Sequence, residues 1–372
     1  MTSTKLSSSQ TTALSGRPVI PGDKSISHRA LMLGGMAIGE TVIHGMLEGE
    51  DVIHTAEAMR AMGADIQRDD EGIWHCHGVG IGGLKEPDTV LDMGNSGTST
   101  RLLMGLVGGH NITAQFTGDA SLTKRPMGRV ITPLEMMGAK VVAREGGLLP
   151  LSITGPKDTL AITYKLPVAS AQVKSCVMLA GLSAMGTTTV IEETPTRDHT
   201  ENMLKAFGVS VQVENIDGGA QAIHVTGQQD LKATEIFVPS DPSSAAFPAV
   251  AALLCEGSEI RMDNILMNER RNGIYTTLME MGADIIFENE RIEAGEKVAD
   301  LIIKGGKILK GIDVPAARVP SMIDEFPVLA VAASCANGTT TMSGLAELRV
   351  KESDRLLMMY EGLKACGVTL EM

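Results

Sequence analysis

Lys24, Ser25 and Arg29 stand in the run Pro21-Gly22-Asp23-Lys24-Ser25-Ile26-Ser27-His28-Arg29, which sets two cations and several hydroxyls where a loop turns into a helix. Unpaired N–H groups at a helix start favour phosphate or carboxylate, and Ser25 or Ser27 is expected to cap the helix that includes Arg29-Ala30-Leu31. A nucleotide P-loop is excluded, because Gly-Lys-Ser/Thr must be contiguous and Asp23 separates Gly22 from Lys24. Taken alone, the run is equally an ordinary capped helix with surface charges.

Four further segments repeat the chemistry. Gly94-Asn95-Ser96-Gly97-Thr98-Ser99-Thr100-Arg101 joins glycines that let backbone approach a ligand to hydroxyls and an arginine. Lys124-Arg125-Pro126-Met127-Gly128-Arg129 puts three cations in six residues. Ser170-Ala171-Gln172-Val173-Lys174-Ser175 precedes an apolar helical stretch and is another donor-rich helix start. Glu347-Leu348-Arg349-Val350-Lys351-Glu352-Ser353-Asp354-Arg355 interleaves acids with bases. Each segment separately is compatible with solvated surface or a salt-bridged helix face.

The elements that must carry these segments recur along the chain. A helix-like run ending in glycine, followed by a short strand, is repeated at Gly63, Gly138, Gly208, Gly282 and Gly367, with separations of 75, 70, 74 and 85 residues. That period is too long for ordinary solenoid repeats and suits a larger supersecondary unit. In the first copy Val52, Ala56, Met59 and Met62 form a helical stripe, Gly63 suits a left-handed helix end, and Ile66 opens a strand that a polar turn folds back. The first four copies continue into a second strand, and the fifth stops at Met372.

Composition narrows the function. A chain of 372 residues with 43% hydrophobic content can bury more than one core. The net charge of −13 argues against nucleic acid or an anionic membrane as partner, and 3% aromatic residues are too few for base-stacking platforms. Five cysteines without Cys-x-x-Cys spacing read as reduced intracellular thiols. His75-Cys76-His77 lacks the further ligands a metal needs and reads as a strand end. Met1 to Gly16 has no apolar core, so neither a signal peptide nor a span is expected there, only a floppy arm.

In order and separation, Pro21-Gly22-Asp23-Lys24-Ser25, Gly94-Asn95-Ser96-Gly97-Thr98, Arg125-Pro126, Ser170-Ala171-Gln172, Ser321-Met322-Ile323-Asp324-Glu325 and Arg349 to Arg355 resemble the 5-enolpyruvylshikimate-3-phosphate synthases. The last two, with Asp241-Pro242-Ser243-Ser244, resemble the bacterial branch known for glyphosate-tolerant members. The resemblance implies an α/β (α+β) chain with two domains, each an inside-out α/β barrel of βαβαββ units, divided into residues 1–22 plus 241–372 and residues 23–240. It implies a cytoplasmic, monomeric transferase that joins phosphoenolpyruvate to shikimate 3-phosphate in aromatic amino acid biosynthesis, with no metal or other cofactor.

By the same resemblance Lys24, Ser25, Arg29, Ser170, Ala171, Gln172, Arg197, Asp324 and Lys351 hold shikimate 3-phosphate, while Lys24, Gly97, Arg125, Gln172 and Arg355 hold phosphoenolpyruvate. Asp324 is the candidate group for the shikimate hydroxyl and Glu352 for proton exchange at the methylene carbon, with Lys24 assisting. The family's C-terminal segment, with an Asp-His-Arg motif and a later lysine, has no counterpart here, so little turnover by the chain alone is expected. The alternative is then a truncated or fragment-dependent chain that binds shikimate 3-phosphate. The sister transferase acting on UDP-N-acetylglucosamine has a loop cysteine before an Arg-Pro, where this chain has Gly118 to Lys124 without one. Because Gly97 has no side chain, glyphosate sensitivity is expected.

Overall fold

The computed structural model describes Ser7, residues 9–351 and residues 353–372. Its helices are α1 (Lys24–Met36), α2 (Glu50–Ala61), α3 (Gly97–Gly108), α4 (Gly128–Met136), α5 (Ala171–Gly181), α6 (His199–Ala206), α7 (Pro242–Leu254), α8 (Gly273–Glu280), α9 (Phe326–Ser334) and α10 (Arg355–Ala365). The chain divides into two compact units. One comprises the described residues up to Ile20 with Ser240–Arg291 and Lys297–Met372, and the other comprises Pro21–Pro239 with Ile292–Glu296.

The Pro21–Pro239 unit is three copies of one motif. In the first, Glu235–Phe237 lies parallel to Glu40–His44, which is antiparallel to Trp74–His77, which is antiparallel to Asp65–Arg68. The second sheet orders Leu91–Asp92, Thr113–Thr117, Leu148–Thr154 and Lys140–Arg144 in the same way, and the third orders Thr163–Lys165, Thr187–Glu192, Gln221–Thr226 and Val211–Asn215. Each copy therefore reads edge strand, helix, strand, helix, hairpin. The edge strand of the first copy follows the hairpin of the third, so the three copies close in a cycle.

Two kinds of helix alternate. From Ile26 to Met36 every residue of α1 is buried, and α5 is buried from Val173 to Gly181. Helices buried on every side belong inside a core, and the polar residues they carry there, Ser27, His28, Arg29, Lys174 and Ser175, must find partners within it. In contrast α2, α4 and α6 bury one stripe; for α2 it is Val52, Thr55, Ala56, Ala58 and Met59. Gly63, Gly138 and Gly208 follow these helices with φ of 102°, 102° and 81°, the left-handed conformation that a helix end of this type requires. Burial pushes the Cys76 thiol up to about 12 and raises that of Cys176, so neither is a thiolate at neutral pH.

In the other unit Ser15–Gly16, Glu259–Leu266, Glu296–Lys304 and Asp284–Glu293 form a fourth sheet of the same order, with α7 and α8 each partly buried. A second copy begins with Asp313–Val314, paired in parallel with Thr341–Met342, together with α9 and α10. The expectation of a floppy arm to Gly16 is overturned at its end. Leu14 N–H donates to Ser258 Oγ at 2.8 Å, and Ser15 and Gly16 pair with Glu259 and Ile260 because that sheet offers a bare parallel edge. The rest of that expectation, over residues 1–6 and Ser8, lies outside the described residues.

Helices α3 and α5 approach through glycine: a Cβ on Gly105 would lie 2.4 Å from the Cys176 carbonyl oxygen, backbone that cannot swing away. Gly105→Ala is expected to lower unfolding stability by about 1–3 kcal/mol. Gly362→Ala, in α10 with nothing within 4 Å of the added carbon, should be neutral or stabilising by up to about 1 kcal/mol. Urea unfolding of the two variants checks the contrast.

Candidate active site

At the start of α1 the cap is Asp23, not Ser25 or Ser27. Its side chain accepts from Ile26 N–H at 2.8 Å, while its own N–H donates to Pro239 O at 2.7 Å. Asp is as good a cap as Ser and here stands one residue before the helix, which leaves Ser25 at the rim. Ser27 instead turns inward, donating to Asp23 O and accepting from Leu47 N–H. Lys24, the first helical residue, pairs with Asp51 at the start of α2.

Arg29 lies one turn deeper and is buried. Its Nε donates to Thr200 Oγ1 at 2.8 Å, one Nη to the Ser25 carbonyl at 2.9 Å and the other to Ser175 Oγ at 2.9 Å. Five donors on a guanidinium less these three leave two for a ligand. Burial lowers its pKa to about 10, against which the Glu201 carboxylate works most strongly; the charge of Arg197 lowers it further. It stays charged at any physiological pH. Arg197 itself stands in the loop between Thr187–Glu192 and α6.

Helix α3 brings the second cation group together. Ser96 caps it, and Gly97 is its first residue. Arg125 is aimed by Asn95 and Ser121, donating from one Nη to Asn95 Oδ1 at 2.6 Å and to Ser121 Oγ at 3.1 Å. Asn95 is in turn held by Asp119. At the start of α5, capped by Ser170 and begun by Ala171, Gln172 is clamped across to α3: its Oε1 accepts from Arg101 at 2.8 Å and its Nε2 donates to Thr98 Oγ1 at 3.0 Å. Sequence reasoning passed over Arg101 as a site residue. Burial, helped by Arg125 and Arg129, brings its pKa to about 10. Its place four residues into the glycine-rich helix start was the available signal.

Beneath these residues His28 Nδ1 meets Thr55 Oγ1 at 2.8 Å and Ser99 Oγ at 3.2 Å, tying α1, α2 and α3. Burial first, then the charges of Lys24 and Arg29, drive its pKa down to about 3. The imidazole is neutral at working pH.

In the other unit Asp324, just before α9, accepts from Arg355 at 3.1 Å and lies 3.7 Å from Arg271. Arg271 is buried and also donates to Asp241 Oδ1 at 3.1 Å and Ser243 Oγ at 2.9 Å. Only the basic pair Arg270-Arg271 ahead of a helix advertised it in the sequence. Arg355 begins α10, which Asp354 caps, and Lys351 reaches Glu347 at 3.4 Å. Glu352 lies outside the described residues. His75, read as a strand-end residue, is in Trp74–His77 with its ring between Glu40 and Asp69. Among the described residues no group of three or more His, Cys, Asp or Glu is placed to hold a metal ion.

Residues 8–372 match the family model of EPSP synthase (3-phosphoshikimate 1-carboxyvinyltransferase). The chain belongs to the EPSP synthase family. The 3-phosphoshikimate 1-carboxyvinyltransferase of Paramagnetospirillum magneticum is 61% identical over 366 residues, 98% of this chain and 82% of that protein. The one of Zymomonas mobilis is 58% identical over 358 residues, 96% of this chain and 79% of its own. The EPSP synthase structure from Acinetobacter baumannii superposes with a TM-score of 0.86 at 50% identity, covering 95% of this chain and 78% of that one. The enolpyruvyl transferase NikO from Streptomyces tendae, at 16% identity and a TM-score of 0.65 over 89% of this chain and 74% of its own, shares the fold. The α/β architecture of repeated βαβαββ units is thus the EPSP synthase and enolpyruvyl transferase fold.

His28 has a folded pKa of about 3 against 6.5 for the free side chain, so the folded state binds fewer protons between those values. The stability tied to keeping it neutral is complete above about pH 6.5 and declines as pH falls towards 3. His28→Asn should flatten the loss of unfolding free energy between pH 6.5 and 4.5, as read by urea titrations at several pH values. An unchanged slope would show that other groups set the acid sensitivity.

Proposed function

We propose that this EPSP synthase family member transfers the enolpyruvyl group of phosphoenolpyruvate to the 5-hydroxyl of shikimate 3-phosphate, releasing phosphate. The observation that carries the reading is the family match over residues 8–372, on a chain that holds Lys24, Arg29 and Arg101 in the first turns of helices and Arg125 in the loop before α4, all in hydrogen-bonded positions. Both substrates carry a phosphate and a carboxylate. Two like charges 4 Å apart repel by about 4 kcal/mol at an effective dielectric near 20, so cations fixed in advance are what the reaction needs.

Shikimate 3-phosphate is assigned to Lys24, Ser25, Arg29, Ser170, Ala171, Gln172, Arg197, Asp324 and Lys351. Phosphoenolpyruvate is assigned to Lys24, Gly97, Arg125, Gln172 and Arg355. The 5-hydroxyl adds to C2 of the enol while C3 takes a proton, giving a tetrahedral intermediate; loss of phosphate and of a C3 proton restores the enol. Asp324 takes the hydroxyl proton, Glu352 exchanges the proton at C3, and Lys24 and Lys351 stabilise the charges that move. The ion pair of Asp324 with Arg355 supports this role, since it favours the ionised form a base needs. No helix among the described residues is long and apolar enough to cross a membrane. A cytoplasmic monomer without a nucleic-acid partner accords with the acidic composition.

Shikimate 3-phosphate at 100 times its dissociation constant should stabilise the fold by about 2.7 kcal/mol, visible as a raised melting temperature. Calorimetry that finds no heat of binding at millimolar ligand would reject the reading. Where the chain turns over, Asp324→Ala should lower phosphate release in the presence of both substrates by about 100-fold or more while weakening shikimate 3-phosphate binding by a much smaller factor. Near-normal turnover would remove Asp324 from the chemistry.

Glyphosate should inhibit an active form of this enzyme with Gly97 in place by occupying the phosphoenolpyruvate position. A Cβ at Gly97 would lie 2.8 Å from one Nη of Arg101 and 3.5 Å from one of Arg125, so Gly97→Ala must displace Arg101 and crowd the site. It is expected to raise the inhibition constant for glyphosate more than the KM for phosphoenolpyruvate. Equal changes in the two constants would place the control elsewhere.

A further inference from the structure

Lys174 is a cation the proposed chemistry does not use. It stands on α5 two residues after Gln172, and its side chain is 0% exposed. Its Nζ bonds Glu192 Oε1 at 3.0 Å, Glu201 Oε1 at 2.7 Å and the Thr196 carbonyl at 3.3 Å. The other oxygen of Glu192 accepts from Thr196 Oγ1 at 2.7 Å and from Thr196 N–H at 3.2 Å. Lysines are almost never fully buried unless paired, and two carboxylates without such a cation would be strongly disfavoured in the same place.

The position of this cluster gives it a task. Thr196, gripped from its side chain, its N–H and its carbonyl, immediately precedes Arg197. Glu201 follows Thr200, the acceptor of Arg29 Nε, and Ser175, next to Lys174, accepts from Arg29 and bonds Thr200 at 2.7 Å. Lys174 thus touches, through one ammonium group, the end of Thr187–Glu192, the loop that carries Arg197 and the helix that orients Arg29. We propose that Lys174, acting through Glu192 and Thr196, is a positioning residue that sets the Arg197 loop for shikimate 3-phosphate. The inference rests on the functional reading above, in which Arg197 meets that ligand.

A fixed loop matters because a mobile arginine must be ordered at the moment of binding, and that ordering weakens affinity. A double-mutant cycle on the intact chain separates positioning from mere support of the fold, because residues that act through one another are not additive. Shikimate 3-phosphate affinity is measured by calorimetry for the parent, Lys174→Met, Arg197→Ala and the double variant. Each single change should weaken binding about tenfold or more, and the double variant should be no more than about twofold weaker than Arg197→Ala alone.

Multiplicative losses, or parent affinity in folded Lys174→Met, would overturn the proposal while leaving the functional reading intact. No binding by the parent, or no loss in Arg197→Ala, would overturn both. Should Lys174→Met fail to fold, Thr196→Val carries the same cycle, since it removes the hydroxyl bond to Glu192 and leaves the Lys174 ammonium with both carboxylates. A loss of about threefold that vanishes in the Arg197→Ala background is expected there, and unchanged affinity would sink the idea.

Discussion

A guanidinium buried as deeply as Arg29 has to be matched before any ligand arrives, and the centre of the Pro21–Pro239 unit is organised around that requirement. The Ser25 carbonyl, Thr200 and Ser175 take three of its donors, and the carboxylate of Glu201 offsets its charge. Those partners come from α1, α5 and α6, so satisfying one cation fixes the relative placement of three helices. His28 is neutral in the same neighbourhood because burial first, and then the charges of Lys24 and Arg29, disfavour an imidazolium there. Positive charge is concentrated where anions are to bind and excluded one turn away.

The two units solve the problem of aiming arginines in different ways. In the Pro21–Pro239 unit Arg101 and Arg125 are oriented by neutral amides and hydroxyls, Gln172 for one and Asn95 with Ser121 for the other. Among the described residues no carboxylate bonds either guanidinium directly, and Asp119 acts on Arg125 from behind Asn95. In the other unit Arg271 and Arg355 are aimed by carboxylates, Asp241 and Asp324. There acid and arginine hold one another in place.

Much of the local architecture was legible because it rests on short-range stereochemistry. Gly63, Gly138, Gly208, Gly282 and Gly367 all adopt positive φ after helices, as a glycine recurring at the end of an apolar stripe implies. The cap of α1 was misread because Asp23, Ser25 and Ser27 are all competent caps within five residues, and propensity does not rank them. Leu14–Gly16 could not be foreseen as ordered, since their partners Ser258, Glu259 and Ile260 are more than the length of three repeats away. Arg101, Lys174 and Arg271 were likewise indistinct, because an arginine or lysine in a helix reads as solvated until the fold supplies Gln172, Glu192 or Asp324 as its neighbour.

The cyclic closure of the three sheets bears on how the chain is made. Glu40–His44 finds its parallel neighbour only in Glu235–Phe237, nearly two hundred residues downstream. At ribosomal rates of about 5–20 residues per second, the first sheet waits roughly eight to thirty seconds with a bare edge after its own hairpin has formed. An unpaired edge is a template for another chain, so nascent molecules are most vulnerable to mispairing during that interval. Val42, Ile43 and His44 are the residues that face it.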